Sequence, residues 1–289
     1  MPKRSFLIVN PVSGTSSPEK VKALMERLVT AGVNPELLAT TCAEDAGRFA
    51  SRICAEEADP LILVAGGDGT VNGVVNGLLP GRATLAVIPL GTSNVLAREL
   101  KIASVEDAVA RVTRGVRKAV SVGEMSWDGG ALRFILMAGI GVDGAVVEGV
   151  RLPEKKAFGK GAYVLSALRT LRTWDREEIA VRGAGRSLSC HSVIVCNAGR
   201  YAGDFVLAPE ADLFSPGFQV LCVKGGRLDY FRLALRLFSG TASRSRSLTS
   251  FHADEVEVGG EKCIQLDGDY CRRAPVKIRS LPDFMQLVV

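Results

Sequence analysis

Two short acidic turns hold the residues of this chain best able to do chemistry. The first, "LILVAGGDGTVNGVVNGL" (61–78), passes from an apolar run into Gly66, Gly67, Asp68, Gly69 and Thr70, and then into a helix-like pattern. The second, "QLDGDY" (265–270), ends a strand-like run with Asp267 and Asp269 on either side of Gly268. A carboxylate among glycines at a strand end can cap the helix that follows, or it can face a metal ion or a substrate hydroxyl, where negative charge is useful. An Asp-Gly pair between strands is ordinarily a hairpin turn. Two carboxylates flanking it can instead supply a base for a hydroxyl nucleophile.

The surroundings of Asp68 favour the chemical role. Three strand-like segments finish in polar, glycine-containing turns: "FLIVNPVSGTSS", "LILVAGGDGTVN" and "LAVIPLGTSNVL". Each runs from strand through small-residue turn to helix start, which gathers main-chain N–H groups and helix N-termini on one sheet edge, an arrangement suited to phosphates. Glycine lets a phosphate chain approach the main chain and allows positive φ. Thr70, Thr92 and Ser93 add hydroxyl donors, and Asn10 and Asn94 can orient the turns. An unpaired Asp68 would repel phosphate, so beside such an edge it is expected to face a metal or a hydroxyl rather than cap its own helix. Phosphate clamping, a divalent ion and a carboxylate that takes a hydroxyl proton are together the parts of phosphoryl transfer. No GxxxxGK[ST] occurs, and the GxGxxG at Gly139, Gly141 and Gly144 lies outside a first βαβ unit, where that fingerprint is weak.

The elements that must position these turns alternate over the first 120 residues. "SFLIVN", "ELLAT", "PLILVAG" and "ATLAVIP" read as strands. Between and after them "SPEKVKALMERLVTAG", with Ser17 as N-cap and Pro18 in the first turn, "DAGRFASRICAEEA", "TVNGVVNGLL", "SNVLAREL" and "SVEDAVARVTRG" read as helices. Strands apolar on both faces predict a parallel sheet covered by helices, with ligands at the carboxyl ends of the strands. After about Ser121 the texture changes to β-branched segments such as "LRFILMAGIGV", "SLSCHSVIVCNAG", "FQVLCVKGG" and "PVKIRS", which predict a mostly antiparallel second domain. Two helices interrupt it, around "GAYVLSALRTLRTW" and "LDYFRLALRLFSG". The second sets Phe231, Leu235 and Phe238 on one side, a face expected to pack into the core, with membrane docking as the lesser alternative.

Composition bounds the function. With 289 residues, 47% hydrophobic and 23% charged, the chain is an ordinary packed protein of one large or two moderate domains. No apolar run is long enough for a membrane span, and the N-terminus turns polar at Asn10, so a soluble cytoplasmic protein is expected. Seven cysteines without a CxxC pair read as reduced, mostly buried thiols. His191 and His252 are the only histidines, so any histidine-built zinc site or Ser-His-Asp triad would need one of them. A net charge of +5 points mildly to anionic partners such as nucleotides or acidic lipid surfaces, and nothing in the sequence supports nucleic acid.

In order and spacing, "NPVSG" (10–14), "GGDGTVNGVVNGL" (66–78), "IPLGTSN" (88–94), "GIGVDG" (139–144) and "LDGDY" (266–270) resemble the diacylglycerol kinase catalytic family, which includes bacterial lipid kinases and sphingosine and ceramide kinases. The resemblance spans nearly the whole chain. It implies an α/β nucleotide-binding domain over 1–121, similar to NAD kinases and phosphofructokinases, to which 280–289 returns. It implies a mostly antiparallel β-sandwich over 122–279 that holds the lipid. ATP and magnesium would meet between the two, and the γ-phosphate would pass to a lipid hydroxyl, diacylglycerol first, with a sphingoid base or related lipid also allowed. The implied nucleotide contacts are Asn10, Pro11, Val12, Ser13, Gly14, Thr40, Gly66, Gly67, Asp68, Gly69, Thr70, Val71, Asn72 and Thr92, with Asn94 beside them. The proton acceptor would be Asp269, where the family usually has glutamate, with Asp267 close behind; sphingosine kinases point instead to Asp68.

Two departures from the family pattern stand out. Val95 replaces an acidic residue that many bacterial members carry after the asparagine of the PxGTxN element. Pro216 stands where the aspartate of the structural magnesium loop belongs, so that site is either absent or rebuilt around Asp212, leaving Asp68 as the other candidate metal ligand. A lipid at a membrane surface is the expected partner, peripheral membrane contact is allowed, and a homodimer is left open. The alternatives are a catalytically impaired nucleotide- or lipid-binding regulator and, more distantly, an NAD kinase.

Overall fold

The first four apolar runs form strands and pair in parallel. The computed structural model describes residues 4–151, 154, 161–173, 175 and 177–289. Its first part comprises β1 (Ser5–Val9), α1 (Pro18–Thr30), β2 (Glu36–Ala39), α2 (Asp45–Glu56), β3 (Leu61–Gly66), α3 (Asp68–Gly77), β4 (Thr84–Pro89), α4 (Val95–Glu99) and α5 (Val105–Arg114). Helix α1 begins where expected: Ser17 Oγ accepts from Lys20 N–H at 3.3 Å and Pro18, which has no N–H to leave unpaired, opens the first turn. Helix α5 is capped by Ser104 and closed by Gly115 in the left-handed region. Strand order β2-β1-β3-β4 is parallel throughout, and its interior positions, such as Leu7, Ile8, Leu63 and Val64, are fully buried. Burial on both faces is why β1, β3 and β4 read as unbroken apolar runs, whereas β2, at the sheet edge, is largely exposed.

The second part comprises β5 (Arg117–Trp127), β6 (Gly130–Phe134), β7 (Met137–Ile140), α6 (Val142–Glu148), α7 (Gly161–Arg172), β8 (Ile179–Gly183), β9 (Arg186–Cys190), β10 (Ser192–Cys196), β11 (Arg200–Tyr201), β12 (Phe205–Val206), β13 (Phe218–Val223), α8 (Arg227–Phe238), β14 (Leu248–Ala253), β15 (Glu255–Val258), β16 (Cys263–Leu266), β17 (Asp269–Arg273) and β18 (Val276–Val288). Strand β18 adds to β4 in parallel at Gln286–Leu287 and runs antiparallel along β5, and the sheet continues through β15, β8 and β9. A second, antiparallel sheet has the order β14-β13-β10-β7-β16-β17. The antiparallel part of the first sheet packs on the second around Met125, Phe134, Val181, Val256, Phe218 and Ile264, with the Phe134 and Phe218 rings 5.7 Å apart. An α/β first domain and a β-sandwich are the expected fold class.

Some boundaries differ from expectation. "LRFILMAGIGV" is two strands, β6 and β7, in different sheets, and "SLSCHSVIVCNAG" likewise divides at His191 into β9 and β10. Periodicity cannot mark such a crossing, because both strands bury the same residue types. The long β5 had no sequence signal of its own, and "PVKIRS" and "SLPDFMQLVV" are one continuous strand, β18. Helix α8 turns Tyr230, Leu233 and Leu237 inward and leaves Phe231 and Leu235 exposed, which corrects the expected core face. The Phe238 side chain and Trp174 lie outside the described residues. All seven cysteines are free, and five of them are buried.

Candidate active site

The three glycine turns meet backbone to backbone at the carboxyl ends of β1, β3 and β4. Gly14 has φ +40°, and a Cβ there would lie 2.6 Å from the Gly91 carbonyl carbon. At Gly91 a Cβ would sit 2.4 Å from Gly67 Cα, so only glycine permits this approach. Gly66 O accepts from Leu90 and Gly91 N–H at 3.2 and 3.1 Å, and Thr15 N–H donates to Leu90 O at 3.0 Å. Asn10 orients its own turn: Oδ1 accepts from Val12 N–H at 3.1 Å, and Nδ2 donates to Thr70 Oγ1 at 3.3 Å. Asn94, left-handed with φ 46°, brackets the third turn by accepting from Gly91 N–H at 2.9 Å and donating to Gly91 O at 2.8 Å. Helix α3 starts at Asp68 behind Gly67, a cap without a side chain, so the first-turn amides at Asp68 and Gly69 have no carbonyl one turn back. Those amides and the helix dipole favour an anion. Thr40 N–H bonds Val9 O at 2.9 Å, which brings Thr40 to the same edge beside Asn10.

Asp68 caps a helix, but not the one it begins. Its Oδ2 and Oδ1 accept from Val95 and Leu96 N–H, both at 3.0 Å, so the carboxylate crosses to the start of α4. At the far end of α4, Glu99 accepts from Arg200 N–H at 2.9 Å and Gly199 N–H at 3.4 Å, and Arg98 pairs with Asp204. The α3 turn is thereby linked through α4 to the segment around β11.

The second acidic turn arrives from the opposite side. Asp267 and Gly268 have φ of 50° and 92° and close a two-residue hairpin between β16 and β17, as an Asp-Gly pair should. The Asp267 carboxylate accepts three consecutive amides: Ile135 at 2.8 Å, Leu136 at 2.8 Å and Met137 at 2.9 Å. This is the point where β6 gives way to β7. Burial pushes its carboxyl up to about 7 against the pull of those three donors, and the neighbouring charge of Asp68 raises it further. Asp269 is exposed, and its Oδ2 lies 3.0 Å from where a Cβ on Gly69 would be. One acid of the hairpin is thus committed to main-chain amides, and the next reaches the phosphate-type turn.

Not every residue expected at the site joins it. Asn72 is one turn into α3, where its Oδ1 accepts from Asn76 Nδ2 at 2.5 Å, and Asn76 in turn bonds the main chain of Arg133. Val71 is buried, leaving only its main chain for a ligand, whereas Pro11 and Val12 are exposed. Asp212 closes its own turn, accepting from Phe214 N–H at 3.1 Å and Ser215 Oγ at 2.9 Å. Among the described residues no three His, Cys, Asp or Glu side chains cluster as a metal site. Magnesium serving a nucleotide needs only one or two carboxylates beside phosphate and water oxygens. Asp68, with lone pairs beyond the two that hold α4, and Asp269 fit that smaller demand.

Sequence reasoning missed a half-buried acid, Asp143, that is linked to the hairpin through Gln265, whose Oε1 accepts from Gly268 N–H at 2.7 Å. The Asp143 carboxylate takes the Tyr201 hydroxyl on one oxygen and Gln265 Nε2 at 2.6 Å on the other, and burial raises its carboxyl above the usual range. A Cβ on Gly139 would lie 1.9 Å from Asp143 Oδ2, and one on Gly144 would lie 2.1 Å from the Cys263 carbonyl oxygen. The GxGxxG is therefore a packing device where antiparallel strand β7 passes into α6, and not the dinucleotide turn of a parallel βαβ unit. The aspartate inside "GIGVDG" was the available signal. Asn197 is buried, donating to Ser121 O and Ile135 O at 2.8 Å each.

Comparison with known proteins agrees with this geometry. Residues 4–125 match the family model described as "Diacylglycerol kinase catalytic domain", and residues 137–289 match that described as "YegS C-terminal NAD kinase beta sandwich-like domain". The chain is 31% identical to a diacylglycerol kinase of Bacillus subtilis (strain 168), covering 99% of this chain and 96% of that protein. It is 27% identical to one from Staphylococcus epidermidis, covering 99% and 92%. The crystal structure of a diacylglycerol kinase from Bacillus anthracis superposes with a TM-score of 0.81 at 24% identity, covering 99% and 96%, and shares the fold. The chain therefore belongs to the diacylglycerol kinase family, and its enzymatic class is that of a lipid kinase.

Proposed function

We propose that the protein transfers the γ-phosphate of ATP to a lipid hydroxyl in a magnesium-dependent reaction, with diacylglycerol as the acceptor. The approach of Asp269 to Gly69 carries this reading, because it sets a carboxylate beside amides suited to phosphate. The turns at 10–14, 66–70 and 91–94 hold the phosphates through main-chain N–H groups, and Thr40, Thr70 and Thr92 add hydroxyls. Asp269 accepts the proton of the lipid hydroxyl as its oxygen bonds the γ-phosphorus and the bond to the bridging oxygen breaks, releasing ADP. Bound magnesium supplies charge neutralisation on the phosphates. Asp267 holds the hairpin that carries Asp269, and Asp68 holds α4 and presents its remaining lone pairs to the metal. The acceptor is named by analogy with the relatives above, and the nucleotide domain is drawn at 1–121 with 280–289, the lipid-holding part at 122–279.

The test is incubation with labelled ATP, magnesium and a panel of diacylglycerol, sphingoid, ceramide and polyprenol lipids. Labelled diacylglycerol that disappears with Asp269→Asn supports the reading. Thermal stabilisation by ATP with no lipid ever labelled would establish a nucleotide-binding regulator instead, and labelled NAD would establish an NAD kinase.

A further inference from the structure

Helix α8 carries apolar residues on two opposed faces, and only one of them is covered. Tyr230 is anchored, its hydroxyl donating to Ser192 Oγ at 2.6 Å, and Leu233 and Leu237 pack against the main core. This fixes the rotation of the helix. On the outer side Leu228, Phe231 and Leu235, spaced three and four apart, are 67%, 56% and 55% exposed. Leu165 and Leu168 of α7 are also exposed, and the carbonyl of Arg172 at the end of that helix accepts from Arg227 of α8 at 3.2 Å.

The charge around this stripe is one-sided. Between residues 224 and 246 lie six basic residues, Lys224, Arg227, Arg232, Arg236, Arg244 and Arg246, and one acid, Asp229. All six are exposed. Asp229 is occupied, accepting from Gly226 N–H at 3.0 Å at the helix start. The whole chain has 36 Lys and Arg against 31 Asp and Glu, so outside this segment the two signs balance at 30 each. The entire net charge of +5 is thus local to the exposed apolar stripe. The Arg236 guanidinium bonds Arg244 O at 3.1 Å, which ties the basic loop to the helix.

We propose that the outer face of α8, with the basic loop 243–247, docks this protein on an anionic phospholipid surface. An amphipathic helix with leucine and phenylalanine in the acyl boundary and arginine at headgroup level is the chemistry such a surface accepts. A helix of 12 residues, about 18 Å long, lies in the interface plane and does not cross it. The inference rests on the lipid-kinase reading, since an enzyme whose acceptor stays in a bilayer must reach that bilayer.

The experiment is co-sedimentation, without ATP, of the full-length protein with vesicles of mixed phosphatidylglycerol and phosphatidylcholine and with vesicles of phosphatidylcholine alone. The wild type binds the anionic vesicles, prefers them to the neutral ones, and is released by raised salt. Replacing Leu228, Phe231 and Leu235 by serine weakens binding at least about tenfold, and replacing Arg227, Arg232 and Arg236 by glutamine weakens it by about a hundredfold. Both variants keep the wild-type melting temperature and the wild-type activity on detergent-dispersed lipid. Equal binding of wild type and both variants overturns the proposal, as does indifference to vesicle charge, or a wild-type dimer that dissociates in the serine variant. A protein that binds anionic vesicles as described yet phosphorylates no lipid removes the kinase reading and leaves the docking face standing.

Discussion

The two acidic turns use the same residue types to different ends. At the α3 turn the aspartate next to glycine spends both oxygens on Val95 and Leu96 amides, and in the hairpin Asp267 does the same with Ile135, Leu136 and Met137. Asp269, two residues further on, is exposed and approaches Gly69. An acid in a glycine turn can therefore serve as a splint for main chain, as Asp68 and Asp267 do, and Asp269 is the one of the three proposed as a reagent. Both splints act at junctions: Asp68 joins α3 to α4, and Asp267 fixes the switch from β6 to β7.

Five substitutions sharpen or break this contrast. The largest effect belongs to Asp269→Asn, expected to lower kcat by about a hundred- to ten-thousandfold with KM for ATP and melting temperature nearly unchanged, read by steady-state kinetics and calorimetry. Gly91→Ala forces a Cβ into Gly67, destabilises by about 3 kcal/mol and abolishes the rise in melting temperature on adding ATP. Asp68→Asn turns one amide donor toward another and costs about 2 kcal/mol, which a denaturation midpoint records. Its stability loss, absent in Asp269→Asn, is the measurable difference between splint and reagent.

Asp267 adds a pH signature. Its carboxyl is raised to about 7 in the folded protein, above its unfolded value, so its contribution to stability is complete below the unfolded pKa and is lost as pH rises through about 7. The wild type should lose stability between about pH 5 and pH 8 by on the order of 1–3 kcal/mol from this group. Asp267→Asn, which does not titrate, should lack that slope when both are melted at the two pH values. The smallest effect is that of Asp212→Asn, about 1 kcal/mol or less, with the magnesium dependence of activity unchanged if Asp212 only closes its turn.

The geometry of the candidate site was legible where it is built from main chain. Glycine turns after apolar strands announce both the parallel order and the phosphate-type edge, because tight turns and close approach exclude other residues, as at Gly14 and Gly91. The roles of the acids were not legible. Nothing in "GGDGT" reveals that Asp68 caps a helix 27 residues away, nor does "LDGD" reveal the amides 130 residues upstream. Asp143 was hidden for the same reason, since its partners Tyr201 and Gln265 come from distant strands. The outward face of α8 was misread because its apolar residues face both ways, and periodicity alone does not say which side the core takes.

Amide hydrogen exchange with and without a non-hydrolysable ATP analogue tests the nucleotide edge most directly. Protection on binding should concentrate in residues 10–14, 66–70 and 91–94, with a smaller change at the 267–269 hairpin. Unchanged exchange at all three turns, with protection appearing only in the six-stranded sheet, would contradict the account.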